Sequence, residues 1–347
     1  MIMTTSPTGQ IGAQQIGPGL AALHVEMSKQ HADSLASYRS NADVAKQIAA
    51  SLRRTGRLVL LGMGGSQAVN RMAEPDYRAL GYNAIAVSLS EQLYSPLPLT
   101  SATVIITSQS GESAEVHRLF ETLKPSADVF GLTMEETSSL AKTCASLIGR
   151  GGSEKAFCAT RSLLISLTLH QLVLAELGLD PAAALAVLAA AKEPDITAAA
   201  AHLKACSAVV FSGRALRGLA EAAALGAMEL GRMPAYALEG GQFRHGPLEI
   251  LGPKIGVVIF RADEAAAGLG DDLARQTVAA GSPTVLFDAS GAASSADALR
   301  VALDRTQGLA ASLALLPPAQ RLVIELAAQR VPDVGTPVRS GKVTRVE

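Results

Sequence analysis

The 347 residues carry 30 basic and 31 acidic side chains, so the chain lacks the broad positive field that nucleic acid or an anionic membrane surface would demand. That length accommodates two α/β lobes, and 48% hydrophobic against 18% charged residues supplies two packed cores and excludes a disordered chain. Aromatics are 3% and tryptophan is absent, which argues against base-stacking platforms and leaves any sugar to be held mainly by polar groups.

From the N-terminus, residues 1–18 show no periodicity and read as a loose arm, with no lysine or arginine before Lys29 and no long apolar stretch of a secretory signal. Apolar positions at three- and four-residue intervals predict helices over residues 20–27 and 32–52. The rhythm then changes to a short apolar strand over 58–61, the turn Gly62-Met63-Gly64-Gly65-Ser66, and a helix over 67–80 that Pro75 is expected to interrupt. Strands follow at 84–89, 103–107 and 129–133, with helices at 112–123 and 158–177. This alternation predicts a mostly parallel sheet with helices on both faces.

The pattern restarts with one alanine-rich helix over 181–205, a strand at 208–211, the turn Ser212-Gly213-Arg214 and a helix over 216–230. Strands at 257–260 and 284–287 and a closing helix over 308–329 complete a second unit, so one α/β unit appears duplicated with a boundary near 180–195. The longest apolar run, 181–191, is too short to cross a bilayer, and a soluble, cytoplasmic protein is expected. Cys144, Cys158 and Cys206 are odd in number and widely spaced, so they read as buried thiols rather than a disulfide framework or zinc site.

Chemistry concentrates in a few turns. Thr107-Ser108-Gln109-Ser110-Gly111-Glu112-Ser113 follows a strand and opens a helix, placing hydroxyls and amide donors where a helix end favours an anion. Gly64-Gly65-Ser66-Gln67 holds the same place after the first strand. Helix capping by serine explains either turn alone; the two together favour phosphate. A dinucleotide fold is disfavoured because Gly62, Gly64 and Gly65 do not complete G-x-G-x-x-G. In the second unit, His245 sits in a loop framed by Gly246 and Pro247, and Glu229 closes an apolar helix where burial would raise its pKa for proton shuttling. A loop histidine, a helix-surface glutamate and a solvated tail lysine, Lys342, are the plainer readings of each residue by itself.

Taken together, these residues resemble the double sugar-isomerase (SIS) domain family, which includes the isomerase half of glucosamine-6-phosphate synthase. The resemblance runs from about residue 25 to the end. Ser108-Gln109-Ser110-Gly111-Glu112-Ser113 is similar to the family's SQSGET phosphate loop, Arg244-His245-Gly246-Pro247 to its KHGP loop, and Lys342-Val343-Thr344-Arg345-Val346-Glu347 to its terminal KSVTVE. It implies two tandem SIS-type α/β lobes: an arm with helices over 1–45, a first SIS domain over 46–185 bearing the phosphate loops, a second over 186–330, and a tail over 331–347 entering the active site.

The same resemblance implies that Glu229 is the general base, His245 the ring-opening histidine and Lys342 the Schiff-base lysine. Gly65, Ser66, Ser108, Gln109, Ser110, Gly111 and Ser113 would bind the phosphate, with no cofactor or metal. A homodimer is implied, with His245 serving the neighbouring site. Two family lysines fall on Gly226 and Met228, and no glutaminase unit precedes the first lobe, which points away from glutamine as nitrogen donor. The expected reaction is deamination of glucosamine 6-phosphate to fructose 6-phosphate and ammonia; a phosphosugar ketose/aldose isomerase and a non-catalytic phosphosugar sensor are the alternatives.

Overall fold

A computed structural model describes residues 17–123 and 128–344. Helices α1 (Pro18–Ser40) and α2 (Ala42–Thr55) come first. The sequence pattern put the break between them at 28–31; it falls at Asn41 instead. The Asn41 Nδ2 donates to the Ser37 carbonyl at 2.8 Å and the Ile148 carbonyl at 2.9 Å, while its Oδ1 accepts from the Ile148 amide at 2.7 Å. One side chain therefore ends a helix and satisfies the edge of a sheet, an arrangement an uninterrupted helix would forfeit. Residues 1–16, most of the expected arm, lie outside the described residues.

The first lobe runs β1 (Arg57–Gly62), α3 (Gly64–Ala79), β2 (Asn83–Ser88), α4 (Leu89–Tyr94), β3 (Thr103–Thr107), α5 (Ala114–Thr122), β4 (Asp128–Thr133), α6 (Ser139–Thr143), β5 (Ser146–Ile148) and α7 (Arg161–Glu176). Its strands lie in the order β2-β1-β3-β4-β5, each pair parallel. Leu58, Leu60 and Ile105 belong to one core, and Val59, Leu61, Val104 and Ile106 to another on the opposite face. A sheet covered on both sides needs apolar residues at every position, which is why these strands are continuous hydrophobic runs.

The second lobe runs α8 (Ala182–Ala190), α9 (Thr197–Leu203), β6 (Ala208–Gly213), α10 (Arg217–Gly231), β7 (Ala235–Glu239), α11 (Gly240–Arg244), a 3-10 turn (Pro247–Ile250), β8 (Ile255–Ala262), α12 (Ala267–Ala279), β9 (Thr284–Ala289), β10 (Leu299–Ala302) and α13 (Gly308–Ala328). Its order, β7-β6-β8-β9-β10, repeats the first lobe strand for strand, again all parallel. The duplication read from two strand-turn-helix units is thus a full repeat of topology. Strands β5, β7 and β10 carry no long apolar run because they are short edge strands, buried in part.

Two expected helices differ from the outcome. The helix over 181–205 is split, because Ala191 turns left-handed at φ 46° and Pro194 bars a helical continuation. Conversely, α3 passes through Pro75 without ending. Its buried face packs against α7 and α10, and a side chain at Gly218 of α10 would overlap the Met72 amide and the Ala68 carbonyl of α3. That backbone-to-backbone approach joins the lobes and offsets the hydrogen bond lost at the proline. The helix α13 is long and apolar enough to cross a membrane, but 83% of its apolar window is buried inside the fold, so it is a core helix.

Candidate active site

In open parallel sheets the crevice lies where strand order reverses, at the carboxyl ends of the strands. In the first lobe that point falls between β1 and β3, between the loops Met63–Ser66 and Ser108–Ser113. The Ser108 amide donates to the Leu132 carbonyl at 2.9 Å, and the Gln109 carbonyl accepts from the Met134 amide at 3.0 Å and Thr133 Oγ1 at 3.1 Å, which fixes the loop to β4. Gly111 has φ 65°, and a side chain there would overlap Ser138. Its amide donates to the Ser108 Oγ at 3.1 Å, and the Glu112 amide to the Ser110 Oγ at 3.2 Å. Glu112 accepts from the Ser139 amide at 2.6 Å and from its hydroxyl at 3.0 Å, which together with His117 holds its carboxyl below the usual range.

The result is a rigid serine cradle. The amides of Gln109, Ser110 and Ser113 have no acceptor among the described residues, and they stand at the N-terminal end of α5. Across the mouth, Gly64 adopts φ 49° and α3 begins at once, with Ser66 half-buried in its first turn. Gly65 is small because a side chain would press on Leu163. Behind the mouth, Thr107 Oγ1 donates to Asn70 Oδ1 at 2.8 Å, leaving the buried Asn70 Nδ2 and Gln67 Oε1 without partners. All the predicted phosphate-binding residues therefore lie on the two loops of one crevice.

A second group assembles where the lobes meet. Glu229 ends α10, and its carboxyl is pushed up by burial and by Glu154, against the opposing pull of the Cys158 thiol and the Lys342 ammonium. Lys342 Nζ donates to Glu154 Oε2 at 3.3 Å. Two residues beyond, the Thr344 carbonyl accepts from the Ala114 amide at 3.1 Å, so the tail lies against the N-terminus of α5, beside the serine cradle. Glu229 of the second lobe, Glu154 and Cys158 of the first and Lys342 of the tail thus share one locality. Arg345, Val346 and Glu347 lie outside the described residues.

Glu154 is held from behind. Its Oε1 accepts from the Thr160 amide, the Thr160 hydroxyl and the Arg161 amide at 2.7, 2.8 and 2.8 Å, and its Oε2 from the Ser162 hydroxyl at 2.6 Å. The adjoining Lys155 amide donates to Glu26 of α1 at 2.6 Å, and the buried Arg161 pairs with the same glutamate at 2.6 Å and with Asp33 at 3.0 Å. The N-terminal helix is therefore a brace for the segment that carries Glu154. Glu154 and Cys158 are the site residues sequence reasoning missed: a lone glutamate in a loop and an isolated cysteine carry no spacing signal, and only the fold brings them to Glu229.

His245 is placed differently. It ends α11 beyond the edge strand β7, exposed, with its amide on the Gln242 carbonyl at 3.1 Å and Gly246 at φ 110° behind it. Among the described residues, no hydrogen bond or ion pair links it to Glu229 or Lys342 within the chain. Gly226, one turn before Glu229, is buried 3.8 Å from Cys158 as measured from an ideal Cβ, and Met228 is exposed, so neither position brings an amine to the site.

No protein-family model matches the sequence, and no curated protein matches it. Solved structures do match the fold. The C-terminal domain of glucosamine-fructose-6-phosphate aminotransferase from Francisella tularensis superposes with a TM-score of 0.77 at 16% identity, over 89% of this chain and 96% of that one. Tagatose-6-phosphate ketose/aldose isomerase from Escherichia coli gives 0.76 at 18%, over 94% and 99%. Glucosamine-6-phosphate deaminase from Thermotoga maritima gives 0.70 at 19%, over 90% and 99%. The architecture shared with these structures is a fold of two tandem SIS-like α/β lobes.

Proposed function

We propose that this chain, which has the tandem SIS fold of phosphosugar isomerases and deaminases, converts glucosamine 6-phosphate and water to fructose 6-phosphate and ammonia. The observation that carries the reading is the meeting of Glu229 and Lys342 at the lobe boundary, with Thr344 bonded to the helix whose N-terminus holds the serine cradle. Ser66, Ser108, Gln109, Ser110 and Ser113, with the close backbone of Gly65 and Gly111, bind the phosphate and fix the sugar by interactions remote from its reacting end.

Glu229, desolvated and so a stronger base than a surface carboxylate, takes the proton from C2 of the open-chain aldehyde and returns it at C1. The electron pair left at C2 passes through an enaminol to the C2 ketose imine. Water adds to that imine and ammonia leaves, or Lys342 first displaces ammonia as a Schiff base that water then hydrolyses; both routes balance. An amino sugar suits the locality on charge grounds. Two carboxylates, Glu154 and Glu229, face one amine there, so a substrate ammonium meets net negative charge.

Ring opening falls to His245, which is exposed and makes no hydrogen bond to Glu229 among the described residues, and which serves the site of a second copy in a homodimer. Mixing Glu229→Gln with His245→Ala subunits tests this, since one restored site per mixed dimer should return activity to two inactive parents. The reaction itself is tested by incubating the protein with glucosamine 6-phosphate and measuring ammonia and fructose 6-phosphate in equal amounts. Formation of glucose 6-phosphate from fructose 6-phosphate without ammonia would make it a sugar-phosphate isomerase instead. Phosphosugar binding with no turnover would make it a sensor.

A further inference from the structure

At the switch point of the first sheet, β1 and β3 lie side by side, with Gly62 opposite Thr107 at their carboxyl ends. The chain runs from each straight into one wall of the cradle, Met63–Ser66 after Gly62 and Ser108–Ser113 after Thr107. A phosphate gripped from both walls therefore depends on how far apart, and at what angle, these two strand ends are held.

One side chain spans the two ends. Asn70, on the second turn of α3, is fully buried, and its Oδ1 accepts from the equally buried Thr107 Oγ1 at 2.8 Å. Its Nδ2 lies over Gly62, where an added Cβ would come within 2.9 Å of it, so the glycine is what lets the carboxamide reach across. Asn70 and Ser66 are four residues apart on α3 and share one face of it. The helix that presents Ser66 is thereby tied to the residue immediately before Ser108.

Stability does not account for this bond. The residues just before the strand ends, Leu61 and Ile106, are apolar and fully buried, as a sheet covered on both faces requires. A buried polar pair that satisfies only itself contributes little beyond an apolar pair of the same shape. Here the balance is poorer still, because Asn70 Nδ2 is enclosed without a hydrogen-bond partner among the described residues. A leucine at 70 and a valine at 107 would fill the same space. What they would lack is direction: a hydrogen bond fixes the separation and angle of its partners, whereas apolar contact is non-directional.

We propose that Asn70 is a positioning residue for phosphosugar binding: by holding Thr107 it sets the spacing of the Ser66 loop against the Ser108–Ser113 loop, and so the fit of the cradle to a phosphate. Asn70 itself touches no substrate, being enclosed, and acts through Thr107 on one side and α3 on the other. The proposal rests on the reading of the cradle as the phosphate site.

Calorimetric titration of the full chain with glucose 6-phosphate, paired with a melting curve for each variant, tests it. The apolar pair, Asn70→Leu combined with Thr107→Val, should bind about tenfold more weakly than the native chain, the scale of a slight misplacement of binding groups, while melting close to the native temperature. Thr107→Ser, which keeps the hydroxyl, should bind within about twofold of native. Native affinity in the apolar pair, a loss in Thr107→Ser as large as that of the pair, or a loss that appears only with a lowered melting temperature would overturn the proposal and leave the cradle reading in place. Failure of the native chain to bind glucose 6-phosphate would overturn both.

Discussion

Lys342 Nζ lies 3.3 Å from Glu154 Oε2, an ion pair between a tail lysine and a carboxylate that is itself fully enclosed. Four further donors from Thr160, Arg161 and Ser162 hold that carboxylate at the start of α7. Its charge is therefore fixed in position before the tail arrives, and the tail amine is drawn to it and so to Glu229.

Glu154→Gln keeps the shape but replaces one acceptor oxygen with an amide. It should lower stability by about 1–3 kcal/mol, the range for a buried polar group left mismatched, and should make the tail after residue 331 more sensitive to limited proteolysis. Chemical denaturation and a timed digest check the two effects. An unchanged digest would show that the ion pair does not hold the tail.

The same substitution carries a signed pH effect. Burial raises the Glu229 carboxyl above its ordinary 4.5, and Glu154 adds a smaller rise of the same sign. Glu229 must be ionised to act as base, so turnover falls as pH drops through that raised value. Removing the neighbouring negative charge moves the acid limb of the pH-rate profile downward in Glu154→Gln. A limb that stays in place or moves up would separate Glu154 from the base.

Gly111→Ala should weaken phosphosugar binding by tenfold or more. The left-handed backbone at φ 65° is strained for alanine by about 1–2 kcal/mol, and the added methyl overlaps Ser138, so the Ser108 to Ser113 loop must shift. Titration with glucose 6-phosphate reads the loss. Retained affinity would place the phosphate elsewhere.

Asp76 contributes a stability step of its own. Burial raises its carboxyl from 3.8 to about 6, so the folded state holds the proton more tightly than the unfolded chain. Stability from this group is present below pH 3.8 and is lost as pH rises to about 6, by an amount on the order of 3 kcal/mol. Asp76→Asn retains an acceptor for the Leu309 amide, 3.1 Å away, and should flatten that part of the stability profile. Urea denaturation at a series of pH values makes the comparison.

The duplication, the central strands and the serine cradle were legible because each depends on local pattern: apolar runs buried on both faces, and glycines and serines between a strand and a helix. Edge strands β5, β7 and β10 were not, since partial burial leaves no periodic signature. The break at Asn41 was hidden because its partner, Ile148, lies 107 residues away. The passage of α3 through Pro75 was hidden too, because the packing that outweighs the proline comes from Gly218 of the other lobe. Lys342 and Glu229 could be singled out by resemblance, but the residues between them, Glu154 and Cys158, emerge only from tertiary contact.

The most direct test is a crystal of the Glu229→Gln protein soaked with glucosamine 6-phosphate. The account predicts phosphate density on the Gln109, Ser110 and Ser113 amides and the serine hydroxyls around them, with C1 and C2 of the sugar reaching toward residue 229 and Lys342. Phosphate bound away from that cradle, or a sugar whose C1 and C2 face away from residue 229, would contradict it.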